Sequence, residues 1–191
     1  MTKEQACSYV TNPSNVIVTI HDTVIDFTIQ DHDELTLVFS ATNSTQDWVT
    51  NALFFKKRFH SCRAHGGYVT QYRTIQKLIH SSVQNVERVH LTGYSMGGSI
   101  ALLVAYDIAM TFPEKQIEVI AFDPLRVFNK NVMPSATTIT YGNSTVHKLL
   151  RIFGFKHTGT IIHVGPKYVW WKYNHKDHKL ENLEEQCVGK N

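Results

Sequence analysis

Between Val86 and Leu103 the chain reads VERVHLTGYSMGGSIALL, a β-branched run that stops at Gly93-Tyr94-Ser95-Met96-Gly97 and passes without a linker into an Ala/Leu-rich stretch. A strand that turns into a helix within one residue has no room for side chains two positions either side of the turn. Gly93 and Gly97 meet that need, and the residue at the apex is held in a strained backbone conformation. A serine there presents its hydroxyl at the edge of a sheet. The Met96 backbone N–H and the start of the following helix lie beneath it, where a donor and the helix dipole stabilise developing negative charge. The pattern G-x-S-x-G alone arises by chance in roughly 5% of chains this long. Requiring a strand before it and a helix after it removes most of those accidents. The segment reads as a nucleophile elbow, which implies serine-dependent hydrolysis with Ser95 as nucleophile and Met96 N–H as an oxyanion donor.

The rest of the chain supplies a sheet for such an elbow. Strand-like runs at 16–20, 24–29 and 35–39, separated by turn residues, predict a β-meander at the start. Tyr68, Tyr72, Ile75, Leu78 and Ile79 fall at helical spacing, so a helix over 68–79 precedes the elbow strand at 86–91. A second helix runs from 97 to 111 and ends before Pro113. Strands follow at 117–122 and 137–141, with a further pair at 160–164 and 168–171. The alternation β-α-β-α-β predicts an α/β fold with a mostly parallel central sheet flanked by helices. No repeat, low-complexity tract or linker divides the chain, so residues 1–191 are expected to form a single domain.

Composition narrows the function classes. The 191 residues are 42% hydrophobic and 18% charged, ordinary globular usage, and a net charge of +3 is too small for a dedicated nucleic-acid binder. The first fifteen residues lack the apolar stretch of a signal peptide, and no apolar run approaches a membrane span. A soluble protein, cytoplasmic or otherwise intracellular, is the expectation. Cys7, Cys62 and Cys187 are odd in number, with no C-x-x-C pair. They indicate neither a disulfide framework nor a zinc site and favour a reducing compartment, while leaving open a single Cys7–Cys187 or Cys62–Cys187 bridge.

Several separate blocks resemble the class 3 lipases, the α/β-hydrolase family typified by fungal triacylglycerol lipases, from about residue 19 to residue 185. Phe39-Ser40-Ala41-Thr42-Asn43-Ser44-Thr45-Gln46-Asp47-Trp48 resembles the family's F-R-G-[ST]-x-S-x-x-[DN]-W. His65-Gly66-Gly67-Tyr68 resembles its H-x-G-[FY], and Gly93-Tyr94-Ser95-Met96-Gly97-Gly98-Ser99-Ile100-Ala101 resembles G-H-S-L-G-G-A-x-A. The resemblance implies an α/β-hydrolase fold and a cofactor-free ester hydrolysis through an acyl-enzyme. Its substrates would be lipids or other esters, with transient contact at lipid interfaces. It also implies that Thr42 supplies the second oxyanion donor. Ser40-Ala41 in place of Arg-Gly, and Tyr94 in place of His, remove no catalytic group.

The acid is where the chain departs from that family. The family's segment [TN]-[GN]-[ND]-D-x-V-P corresponds to Tyr141-Gly142-Asn143-Ser144-Thr145-Val146-His147, so Ser144 stands where the aspartate is expected. A histidine base without its carboxylate loses about four orders of magnitude in rate. One strand earlier, Ala121-Phe122-Asp123-Pro124 places a carboxylate at the same sheet edge as the elbow, preserving the order Ser, Asp, His. This segment also resembles the G-L-D-P of vertebrate pancreatic-type lipases. Asp123 is the candidate acid; the alternative is a residue that only caps a turn before Pro124.

The base must follow the acid, which leaves His147, His157, His163, His175 and His178. Asp177-His178-Lys179-Leu180-Glu181-Asn182-Leu183 resembles the family's D-H-x-[LM]-x-x-Y, which implies His178, with His175 as its rival. Neither His175-x-x-His178 with Asp177 nor Asp31-His32-Asp33 has the spacing of a metal site. The run Lys56-Lys57-Arg58-Phe59-His60 reads as a solvated loop or as a loop that meets anionic headgroups. Residues 168–173 read as a core strand or an acyl-pocket wall. The reading against an enzyme is a catalytically silent relative that binds lipid or a protein partner, suggested by the missing acid at Ser144.

Overall fold

Consecutive residues are buried along the central strands, so both faces of one sheet are covered. The computed structural model describes residues 1–11, 17–20, 23–31, 33–41, 55–133, 135–144, 150–167, 169, 174–177, 179, 182–183 and 187. In chain order the elements are α1 (Lys3–Thr11), β1 (Ile17–Ile20), β2 (Thr23–Asp31), β3 (Glu34–Ala41), β4 (Lys56–Phe59), β5 (Cys62–His65), α2 (Gly66–Val83), β6 (Arg88–Tyr94), α3 (Met96–Thr111), β7 (Gln116–Phe122), β8 (Thr137–Tyr141) and β9 (Thr160–Val164). The main sheet has the order β1-β2-β3-β6-β7-β8-β9. Its first three strands form the antiparallel meander expected from the sequence. From β3 to β9 the neighbours pair in parallel, giving five parallel strands flanked by helices.

Val119 and Ala121 of β7 point into the larger apolar cluster, together with Leu35, Leu37 and Phe39 of β3 and the buried faces of α2 and α3. On α2 the residues Tyr72, Ile75, Ile79 and Val83, spaced three or four apart, are fully buried, and each contributes about 1.5–3 kcal/mol by leaving water. Helix α3 is buried nearly all round, because it lies between the sheet and α2. Ile120 and Phe122 point to the opposite face, where Ala6 and Cys7 of α1, Ile139, Tyr141, Val164 and Leu183 close a second cluster. A Cys7–Cys187 disulfide staples α1 to the C-terminal segment on that face. It is the first of the two bridges the sequence left open. Such bridges persist in oxidising surroundings, which sets this one against the reducing compartment expected from cysteine usage. Among the described residues no helix is long and apolar enough to cross a membrane.

Two elements depart from the sequence reading. The run from Lys56 to His60 is not a loop: β4 and β5 form a hairpin in which Lys56 faces His65 and Arg58 faces Arg63. Arg58 and Arg63 are the outward side of a strand alternation whose other side carries the buried Phe59, Cys62 and Ala64. Helix α1 was not anticipated, since only Ala6 and Cys7 of its nine residues are buried. The expected strand at 168–171 lies almost wholly outside the described residues.

Candidate active site

Ser95 sits between the end of β6 and the start of α3 with φ 54° and ψ −118°. L-residues rarely adopt this backbone region, and it persists only where the surroundings over-determine it. Here the surroundings are backbone. Ser95 N–H donates to Phe122 O at 2.9 Å, and Ser95 O accepts from Ser99 N–H at 3.1 Å. A Cβ on Gly97 would lie 2.0 Å from Phe39 O, and one on Gly93 would lie 2.5 Å from the Gly97 carbonyl carbon. The two elbow glycines are therefore demanded by the close approach of β3 and the first turn of α3. Ser99, whose role the sequence did not signal, locks the turn from below. Its Oγ donates to Ser95 O at 3.1 Å and accepts Leu125 N–H at 2.9 Å, tying the elbow to the segment after β7.

Asp123 follows the last residue of β7, and Phe122 pairs with Tyr94 in the register. Ser95 and Asp123 thus leave neighbouring parallel strands, about 5 Å apart, at the same edge. The carboxylate is fully buried. Asp123 also has a positive φ, 41°; its N–H donates to Ile139 O at 2.6 Å, and its Oδ1 accepts Tyr141 N–H at 3.3 Å. Burial, and then the charge of Asp123, push the Tyr94 phenol well above the usual range.

One strand further, Ser144 is buried where the family's acid would be, and its Oγ has no hydrogen-bond partner among the described residues. A carboxylate nevertheless reaches this end of β8. Asp177 is buried, its Oδ2 accepts Asn143 N–H at 2.6 Å, and its Oδ1 accepts Asn174 Nδ2 at 2.5 Å. Its Oδ2 lies 2.5 Å from where a Cβ on Gly142 would be. The residue before His178 is therefore held at the C-terminal edge of the sheet, an anchor that no sequence pattern announced.

The structure thus brings together Ser95, Met96 and Asp123. Thr42 and His178 lie outside the described residues, as does the side chain of His175. The end of β3 passes against Gly97, so the chain leaves toward Thr42 from beside the elbow. His157 is buried and His163 lies on β9, where its Nδ1 is 3.2 Å from Thr140 Oγ1. Among the described residues no cluster of His, Cys, Asp or Glu has the makings of a metal site.

Solved structures share this architecture. The lipase from Rhizopus microsporus var. chinensis matches with TM-score 0.60 and 18% identity over 82% of this chain, which spans 61% of that protein. A mutant form of MDLA from Penicillium cyclopium matches with TM-score 0.62 and 17% identity, over 98% of this chain and 95% of its own. A triacylglycerol lipase from Penicillium expansum matches with TM-score 0.66 and 12% identity, over 85% and 77%. At such identities the likeness carries the fold alone. The family model for lipase (class 3) matches residues 36–153, which takes in the end of the meander, the hairpin, the elbow and strands β7 and β8. With well over half of the chain matched, the protein belongs to the class 3 lipases, a family of lipid ester hydrolases.

Proposed function

We propose that this chain is a serine hydrolase of carboxylic esters of lipids, working through Ser95, His178 and Asp123. Ser95 Oγ attacks the ester carbonyl while His178 takes its proton, and the tetrahedral oxyanion receives hydrogen bonds from the N–H groups of Met96 and Thr42. His178 then returns the proton to the leaving alcohol, and water releases the acid from the acyl-enzyme by the same steps in reverse. Asp123 holds the imidazole in the right tautomer and balances its positive charge. The observation that carries the reading is the pair of strained residues at one sheet edge: Ser95 at φ 54° and, one strand over, the buried carboxylate of Asp123 at φ 41°. The anchoring of Asn174 and Asp177 at β8 holds the residues preceding His175 and His178 at that same edge, which supports a base from this segment. Phe55, exposed beneath the Lys57 ammonium, and Ile152, exposed as well, suit transient contact with a lipid interface.

The test is labelling of Ser95 by a fluorophosphonate, combined with turnover of a chromogenic ester. Asp123→Asn should lower kcat by about four orders of magnitude. Near-normal turnover in that variant would sink the relocated acid. A gain from adding Ser144→Asp to it would show that the end of β8 can still serve. The rival reading, a silent scaffold, draws on the buried Ser144 hydroxyl at the family's acid position; it requires that wild-type Ser95 does not label. Rates on short- and long-chain esters, below and above micelle formation, separate a lipase from a soluble esterase.

A further inference from the structure

We propose that the β4–β5 hairpin carries a second binding site, a cationic pocket that takes a phosphate-bearing group away from Ser95. A cavity of about 430 Å³ is lined by Arg58, His60, Cys62, Arg63, Asn129 and Lys130. Among the described residues it gathers three permanent cations and no carboxylate, in a chain whose whole net charge is +3. Arg58 and Arg63 are directly opposite in the hairpin register, and both are exposed. Like charges facing each other across two strands destabilise the pair, so this arrangement works against the hairpin unless an anion joins it. Among the described residues, the ion pairs leave Arg58, Arg63 and Lys130 without a carboxylate partner.

A larger cavity, on the α1 side of the main sheet, shows the contrast. Its charged groups satisfy one another: Arg88 Nε donates to Glu34 at 2.5 Å, and His90 Nδ1 lies 3.0 Å from Glu118.

The cationic pocket is also fixed in place. Arg63 N–H donates to Asn129 Oδ1 at 2.8 Å, and Asn129 N–H donates to Arg63 O at 2.9 Å, so the segment carrying Lys130 is clamped to β5. The hairpin tip is pinned to α3, where His60 Nε2 meets Asp107 at 2.7 Å and Ser61 Oγ meets Tyr106 Oη at 2.9 Å. With the backbone fixed, binding has only the three side chains to order. Two guanidinium forks and an ammonium offer more donors than one carboxylate can accept, whereas the three oxygens and near-double charge of a phosphate monoester can engage all three. The volume leaves room for the group that bears the phosphate. Asp107 lies three turns along α3 from Ser95, about 18 Å, so a ligand here stands clear of the reacting ester.

Titration calorimetry with inorganic phosphate and with glycerol 3-phosphate, at constant ionic strength, tests this on wild type, Arg63→Gln and the Arg58→Gln/Arg63→Gln/Lys130→Gln variant. Saturable binding is expected, weakened about tenfold by the single substitution and abolished by the triple. Co-sedimentation with phosphatidylcholine vesicles, with and without phosphatidic acid, separates the sources. Retention that depends on phosphatidic acid and is lost in the triple variant assigns a lipid headgroup. Binding of glycerol 3-phosphate without such retention assigns a soluble ligand. Wild-type binding no stronger than to added chloride, or triple-variant binding equal to wild type, overturns the proposal. The variants should keep fluorophosphonate labelling and melt at or above wild type, since they relieve the repulsion. Melting well below it would show that the arginines serve the fold instead, and would also overturn it.

Discussion

His65 makes stability depend on pH in a way that one substitution can isolate. It ends β5 at the entry to α2, is 2% exposed, and packs between the rings of Tyr68 at 4.4 Å and Phe155 at 5.4 Å. Its Nδ1 has no hydrogen-bond partner among the described residues. Burial pushes its pKa down to about 4, from an ordinary value of 6.5. The unfolded chain therefore binds a proton that the folded chain refuses. Stability from this group is complete above the unfolded pKa and drains away as pH falls from there toward the folded value. The full shift corresponds to about 3 kcal/mol, of which about 2 kcal/mol is lost between neutral pH and about pH 5.

For a domain of this size that loss lowers Tm by about 4–8 °C. His65→Phe keeps a flat apolar ring in the site and removes the titration. Its absolute Tm is immaterial; the observable is the drop in Tm from neutral pH to about pH 5, which should be smaller than in wild type by about 4–8 °C. Other titrating groups cancel in the comparison. Equal drops in the two proteins would mean that the imidazole charges in place, and the burial argument would fail.

Two further outcomes test how the elements are tied together. Asp107 is 1% exposed and accepts hydrogen bonds from Tyr72 Oη at 2.5 Å, His80 Nε2 at 2.5 Å and His60 Nε2 at 2.7 Å. Burial raises its pKa, but these bonds outweigh burial and hold the carboxylate below its usual range. Asp107→Asn should cost about 2–4 kcal/mol in urea unfolding with little change in m, and Tyr72→Phe about 1 kcal/mol. Equal costs would contradict a shared carboxylate. The Cys7–Cys187 bridge closes a loop with a sequence separation of 180. Cys7→Ser should lower stability by about 4–5 kcal/mol on the chain-entropy account, and thiol titration of the unfolded, unreduced wild type should find one free cysteine, Cys62. Three free thiols would refute the bridge.

What could be read from the sequence is what backbone geometry dictates locally. Gly93 and Gly97 had to be glycine because carbonyl groups of Phe39 and of the elbow itself stand where side chains would go, and that demand shows at a fixed spacing. The parallel strands were legible from their apolar runs, and α2 from its spacing. Elements held by contacts rather than by periodicity were not. The hairpin hides because its three consecutive cations mask a strand only four residues long. Asp107 gathers partners 27 to 47 residues away, and Asp177 meets Asn143 from 34 residues away; no local pattern encodes either.

The proposed acid, Asp123, lies between these cases. Its strand-end position was legible, because any residue following β7 must emerge beside the residue following β6. What the sequence could not weigh is the cost of putting a carboxylate there. Asp123 is fully buried and conformationally strained, two costs that a residue serving only as a turn cap before Pro124 would not need to bear. Ser144 carries the complementary signature, a buried hydroxyl with no hydrogen-bond partner among the described residues at the position the sequence resemblance gives to the acid. Both departures, at adjacent strand ends, support the proposal that the carboxylate stands one strand nearer the nucleophile. The Asp123→Asn and Ser144→Asp pair therefore tests the exchange itself rather than either residue alone.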